Sequence, residues 1–183
     1  SAKLAHQIRH ADRYGLEAGA PAFSFRRVMA RIQEVIRAIE PHDSIERYTR
    51  LGVDVVQGHA RIVDPWTVEI ARANGGTQRL TTRSIIIATG AAPFVPPLPG
   101  LADAGFVTSD TLWDKFATLD AVPKRLVVLG GGPIGCELAQ SFARFGSSVT
   151  QVEMAPRLMG REDEEVAALV RARLEADGVR VLT

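Results

Sequence analysis

Apolar positions change period along the chain, and each change marks a different kind of element. Leu4 and Ile8 sit on one helical face, in a run that stops at Gly15. A polar stretch through Gly19 and Pro21 follows. Ser24 then caps a second helical run, in which Val28, Ile32, Val35, Ile36 and Ile39 keep a helical period. Pro41 interrupts it. Asp43 with Glu46 three residues on has the form of a capping box and predicts a short helix through Tyr48 and Leu51 to Gly52. From residue 53 the pattern becomes β-like. Runs 53–57, 60–63 and 67–70 predict short strands, divided by turn residues such as Asp64-Pro65 and Gly75-Gly76. Run 84–88 is continuously apolar and predicts a strand ending at Thr89-Gly90. Pro93, Pro96, Pro97 and Pro99, leading to Gly100, exclude a regular element and predict a crossing between domains. The boundary is expected within 112–124.

The last third has the cleanest pattern. A strand over 125–129 runs into a glycine turn and a helix to about Phe145, which Gly146 ends. A second strand covers 149–152. A helix over 162–177 carries Val166, Leu169, Val170 and Leu174 on its apolar face, and a third strand opens at Val179. This β-α-β-α-β order predicts an α/β fold, the start of a parallel doubly wound sheet. Gly130-Gly131-Gly132-Pro133-Ile134-Gly135 fits G-x-G-x-x-G between strand and helix, and Glu153 closes the second strand. Gly130 permits the tight turn, Gly132 lets the backbone approach a pyrophosphate, and Gly135 lets helix and strand pack closely. The helix N-terminus offers N–H groups and a positive dipole to phosphates. Glu153 can accept hydrogen bonds from both ribose hydroxyls of an adenosine and would repel a 2′-phosphate, which favours NAD. Arg157 nearby keeps NADP as the lesser choice. The bland reading of the motif is a turn that only reverses the chain.

Composition narrows the classes further. The 183 residues are 46% hydrophobic and 23% charged, ordinary for a globular protein with a buried core. A net charge of +1 without a basic run points to no nucleic-acid or membrane partner. No secretory signal or bilayer-length apolar run is evident, so a cytoplasmic protein is expected. Four scattered His predict no metal site. His42-Asp43-Ser44 has the residue types of a hydrolase triad, but neighbours in the chain cannot converge on one centre, and a helix cap fits better. Cys136, the one cysteine, has no partner for a disulfide. The helix dipole could lower its pKa, yet it reads as a small packing residue.

Two runs carry a resemblance: Ile85-Ile86-Ile87-Ala88-Thr89-Gly90-Ala91-Ala92-Pro93 with Pro97-Leu98-Pro99-Gly100, and Pro123 to Gly132. In order and spacing they resemble the pyridine nucleotide–disulfide oxidoreductases, the group of dihydrolipoamide dehydrogenase, glutathione reductase and mercuric reductase. Glu40-Pro41-His42-Asp43-Ser44 with the glycine run is most similar to mercuric-reductase-like members. The resemblance implies part of an FAD-binding domain with its connector (1–119: helices plus a β-meander), followed by the first half of a Rossmann-type NAD(P)-binding domain (120–183). It implies Thr89 and Gly90 near the flavin, and Gly58 and Ala60 against the FAD adenine. Gly130, Gly132, Pro133, Ile134, Gly135 and Glu153 would form the NAD site. Glu137 would be a flavin-proximal acid that pairs with a lysine. The implied protein is a homodimer acting on a small-molecule or disulfide substrate with FAD and NAD, and this fragment alone would be inactive.

Departures from the family pattern accompany the match. A first FAD-binding G-x-G-x-x-G, the C-x-x-x-x-C pair, its lysine and the dimerisation domain with its His–Glu pair are not in this sequence. Pro133 stands where many relatives carry an aromatic gate, and Met154 stands where NADP-using relatives often place Arg. Two other readings stay open: a non-catalytic nucleotide-binding module, and a flavoprotein reductase without a redox disulfide, of the ferredoxin or rubredoxin reductase type.

Overall fold

The computed structural model describes residues Ser1–Thr183. In chain order it contains α1 (Ala2–Arg9), α2 (Phe25–Ile39), α3 (Ile45–Arg50), β1 (His59–Asp64), β2 (Thr67–Ala71), β3 (Thr77–Thr81), α4 (Leu112–Ala117), β4 (Arg125–Leu129), α5 (Pro133–Phe145), β5 (Ser148–Val152), α6 (Glu164–Ala176) and β6 (Arg180–Leu182). Packing divides it into two compact units, Ser1–Ile32 with Pro97–Thr183, and Gln33–Pro96. The segments flanking residue 119 thus pack within one unit.

The first unit is built on a parallel sheet in the order β4-β5-β6. Local sequence dictates its helix. Pro133 occupies the first turn of α5, where its missing N–H costs nothing, and Gly146 adopts the left-handed conformation that closes the other end (φ 101°). In β5, alternate residues Val149 and Gln151 are buried against the helical layer. The core gathers Phe25 and Met29 of α2, Leu112 and Phe116 of α4, Ala139 and Phe142 of α5, and Leu174 of α6. Phe142 is its centre, meeting Phe116 edge-on at 5.5 Å and Phe25 at 6.3 Å. The sequence pattern does not predict helix α4 in the 112–124 stretch, where it places a boundary; Leu112 and Phe116 are buried in the core, and Trp113 and Ala117 pack against it.

An ionic cluster ties α1 to this unit. Asp177, just past α6 and almost fully buried, accepts from Arg144 (2.8 Å) and Gln140 (2.7 Å) of α5 and lies 3.2 Å from His6 of α1. Arg9 donates to the carbonyl of Arg144 at 2.5 Å. The first helix ends at Arg9, earlier than its apolar spacing predicted. A separate 3-10 turn, Ala11–Tyr14, carries the chain to the left-handed Gly15.

The second unit contains the antiparallel meander β1-β2-β3. Glu69, central on β2, bonds Arg61 on β1 (2.9 Å) and Arg79 on β3 (2.8 Å), a cross-strand triad set by register. The strand β3 was not anticipated, because Thr77–Thr81 holds one large aliphatic residue and looks like turn. Three expectations need correction. The cap of α3 is Ser44, whose Oγ accepts from the N–H of Arg47 at 3.2 Å, while Asp43 ends a 3-10 turn. Residues 53–57 pair with nothing and form no strand. Residues 84–88 are likewise not a strand, for no strand pairs with them and Ile86 is 90% exposed.

Replacing Asp177 by Ala strands Arg144 and His6 beside a buried gap. The expected cost is on the order of 3 kcal/mol in chemical denaturation. Glu69→Ala, on the solvated meander, should cost much less; equal losses would contradict this account of the two clusters.

Candidate functional site

The glycine turn joins β4 to α5 through three consecutive peptides, each held differently. Gly130 has φ 111°, and its N–H continues the β ladder by donating to the Val152 carbonyl at 2.8 Å. The Gly130 carbonyl turns inward and accepts from Gln151 Nε2 at 3.0 Å. The N–H of Gly131 donates to the Glu153 carboxylate at 2.5 Å, and its carbonyl accepts from the N–H of Met159 at 2.7 Å. The Gly132 carbonyl accepts from Cys136 N–H at 3.0 Å, closing the first helical turn.

Each glycine meets a different constraint. A Cβ at Gly135 would run into the Gly130 carbonyl oxygen, inside van der Waals contact. A Cβ at Gly131 would lie 2.6 Å from the Leu158 side chain. A Cβ at Gly132 would meet nothing within 4 Å, and its φ of −76° suits any residue. Gly132 therefore faces open space, at the end of a helix that no side chain caps. Its N–H and those of Ile134 and Gly135 belong to the orphan set of a helix start. Pro133 and Ile134 are both exposed there.

Across the turn, Glu153 is fixed at both carboxylate oxygens, accepting also from Ala155 N–H at 2.7 Å. Hydrogen bonds from the N–H groups of Ala155, Gly131 and Met154 hold its carboxyl below the ordinary glutamate range, against a partial burial that pushes it up. Met154 is wholly exposed beside it. Arg157 donates to the carbonyls of Glu162 (2.9 Å), Gly160 (3.1 Å) and Met159 (3.4 Å), so its guanidinium fastens its own loop. Cys136 is buried, and burial pushes its thiol pKa up, with Gln151 opposing and the charges of Glu153 and Glu137 adding. The helix dipole does not make it a reactive thiolate. Glu137 is exposed on the first turn of α5. It borders a groove of about 260 Å³ with Pro133, Cys136, Gln140, Met159 and Arg173 among its walls.

The candidates for the flavin lie in the second unit. Gly58 and Ala60 flank the start of β1, and a Cβ at Gly58 would come 2.5 Å from the Ala71 carbonyl oxygen and 2.7 Å from Ile70. Thr89 and Gly90 follow the meander in a stretch without regular structure, with Gly90 left-handed at φ 66°. The structure therefore assembles Gly130, Gly132, Pro133, Ile134, Gly135 and Glu153 around one turn, and places the other four at two positions along the second unit. Sequence reasoning passed over Gly131, Gln151, Leu158 and Met159. A signal existed for Gln151, a polar residue two positions after Val149 on the face of β5 that alternation buries.

With the geometry in place, comparison with known proteins is decisive. The profile of the pyridine nucleotide-disulphide oxidoreductases matches residues 6–183. The chain belongs to this family. It is 35% identical to dihydrolipoyl dehydrogenase of Mycoplasma pneumoniae and 32% identical to mercuric reductase of Streptomyces lividans. Both matches cover 100% of the chain and only 39% and 38% of those proteins. Among solved structures, the Cu(II) complex of the HOCl-induced flavoprotein disulfide reductase RclA from Escherichia coli superposes with a TM-score of 0.67 at 28% identity, over 99% of this chain and 38% of that one. As a family member, then, the chain spans under two fifths of the length of these relatives.

Two measurements check the site geometry. Gly135→Ala should destabilise the protein by about 1–3 kcal/mol through overpacking, whereas Gly132→Ala should leave the thermal midpoint unchanged. Because the Glu153 pKa is lowered on folding, its contribution to stability is present above the ordinary glutamate range and lost as pH falls through the lowered value. Glu153→Gln should therefore lose stability at neutral pH and show a flatter decline on acidification, read from melting midpoints across the acid range.

Proposed function

We propose that this chain is part of an FAD-dependent oxidoreductase that moves electrons between a nicotinamide nucleotide, NADH in preference to NADPH, and a disulfide or other two-electron acceptor. One observation carries the nucleotide half of the reading. The uncapped start of α5 opens onto space above Gly132, and the fixed Glu153 carboxylate stands at the end of the neighbouring strand. Free N–H groups at a helix start are a ready site for a pyrophosphate, and a carboxylate at this distance along the fold suits ribose hydroxyls. A 2′-phosphate would be repelled by Glu153, and Arg157 is engaged with carbonyls of its own loop.

The residues divide the work. Gly132, Ile134 and Gly135 would hold phosphate oxygens through their N–H groups, and Pro133 shapes the first turn without adding a donor that points elsewhere. Glu153 would orient the adenosine ribose. Gly58 and Ala60 are proposed for the FAD adenine, Thr89 and Gly90 for the neighbourhood of its ring, and Glu137 for the acid that works beside the flavin. FAD supplies the hydride-accepting and electron-relaying chemistry when bound; the protein supplies binding, orientation and electrostatics. The whole protein is proposed to be a cytoplasmic homodimer, with residues 1–119 serving flavin and 120–183 serving nicotinamide nucleotide.

The full-length gene product tests this directly. It should be yellow, and NADH should bleach its flavin band under anaerobic conditions with a KM about tenfold below that for NADPH. Gly132→Ala should raise the KM for NADH without altering flavin content. A colourless full-length protein that binds NADH would favour the non-catalytic module. A flavoprotein that neither nucleotide reduces would overturn the proposal.

A further inference from the structure

Gln151 is polar, wholly buried, and sits where its strand would otherwise present an apolar residue to the helical layer. Its Nε2 donates to the Gly130 carbonyl at 3.0 Å and approaches Cys136 Sγ at 3.5 Å. Its Oε1 has no hydrogen-bond partner. Exchanging the amide's two ends would set oxygen against the Gly130 carbonyl, so the observed orientation is the better one and the orphaned oxygen is its consequence. A fold that keeps an unmet polar atom in its core gains something from the other end of the same group.

The gain lies in the peptide between Gly130 and Gly131. Its carbonyl is held by Gln151 on β5 and its N–H by Glu153, the residue that follows the end of that strand. A peptide flanked by two glycines flips more easily than any other, because neither neighbour carries a Cβ to oppose it. A flip would aim the Gly130 carbonyl oxygen out of the core and turn the Gly131 N–H inward. We propose that Gln151 is a positioning residue for the dinucleotide site, pinning the Gly130–Gly131 peptide so that the loop presents N–H groups and not a carbonyl to the phosphates. This rests on the nicotinamide-nucleotide reading above. It also has an order to it. Once ribose hydroxyls share the Glu153 carboxylate, the hold on the Gly131 N–H weakens, and Gln151 becomes the main restraint on that peptide.

The test uses the full-length flavoprotein and two variants. Gln151→Met keeps the volume and removes both the donor and the orphaned oxygen; Gln151→Glu keeps the shape and can donate to the Gly130 carbonyl only while its carboxyl is protonated. In stopped-flow reduction by NADH, Gln151→Met should show an apparent Kd about three- to tenfold higher. Its flavin content, its limiting reduction rate at saturating NADH and its rate of reduction by dithionite should be unchanged. Its melting midpoint should stay within about 3 °C of wild type. Gln151→Glu should weaken NADH binding at least as much as Gln151→Met once its carboxyl ionises at higher pH, and regain affinity as falling pH protonates it and restores a donor to the Gly130 carbonyl. Parallel losses of stability, flavin and rate in both variants would make Gln151 a core residue only and overturn the inference. So would unchanged NADH affinity in Gln151→Met. If the wild-type flavoprotein itself is not reduced by NADH, the failure belongs to the functional proposal and not to Gln151.

Discussion

The contact on which the first unit depends is the approach of α5 to the end of β4, where the backbone of Gly135 lies against the carbonyl oxygen of Gly130. No side chain fits between them. That closeness brings the start of the helix directly over the strand end and lets Gln151 of β5 and Glu153 just past it reach the same turn. It also sets where Phe142, two turns further along α5, enters the aromatic cluster with Phe25 and Phe116. Packing density and site geometry therefore share one origin. A helix displaced by a methyl group would loosen the phosphate-facing turn and the core together.

Much of this was legible in the sequence, for reasons specific to certain residues. Gly130, Gly132 and Gly135 fell in a pattern whose flanking strand and helix were both strongly periodic, and Gly146 marked the helix end without ambiguity. Glu153 was singled out by its place at the end of the strand that follows the glycine turn and helix. The second unit was harder to read. Residues 53–57 and 84–88 have strand composition, but composition describes what a backbone prefers and not whether another strand lies alongside. The converse holds for β3, whose Thr and Arg residues look like loop and become strand because β2 lies alongside, with Thr67, Glu69 and Ala71 opposite Thr81, Arg79 and Thr77. Ser44 outcompeted Asp43 as the cap because the preceding 3-10 turn consumed Asp43.

Polar residues in the interior were the least visible part of the site. Gln151 and Asp177 are both almost fully buried, and both are exceptions to the simple apolar alternation that made the surrounding elements readable. They act differently. Asp177 is fully engaged and joins three helices, α1, α5 and the end of α6. Gln151 is half-engaged and serves a single peptide. A buried polar residue that satisfies all its atoms is a structural fastening; one that leaves an atom unmet invites the question of what its other atoms secure.

The sheet order β4-β5-β6 leaves β4 and β6 as open edges, and β4 shows Val127 and Leu129 to solvent. Handled as an isolated polypeptide, the chain would thus offer two unpaired rows of N–H and C=O groups beside bare aliphatic surface. Such edges recruit strands from whatever is nearest, including other copies. Expressed on its own, the chain carries an edge of the kind that favours self-association, and a charge on the exposed face of β4 is the type of change that discourages it.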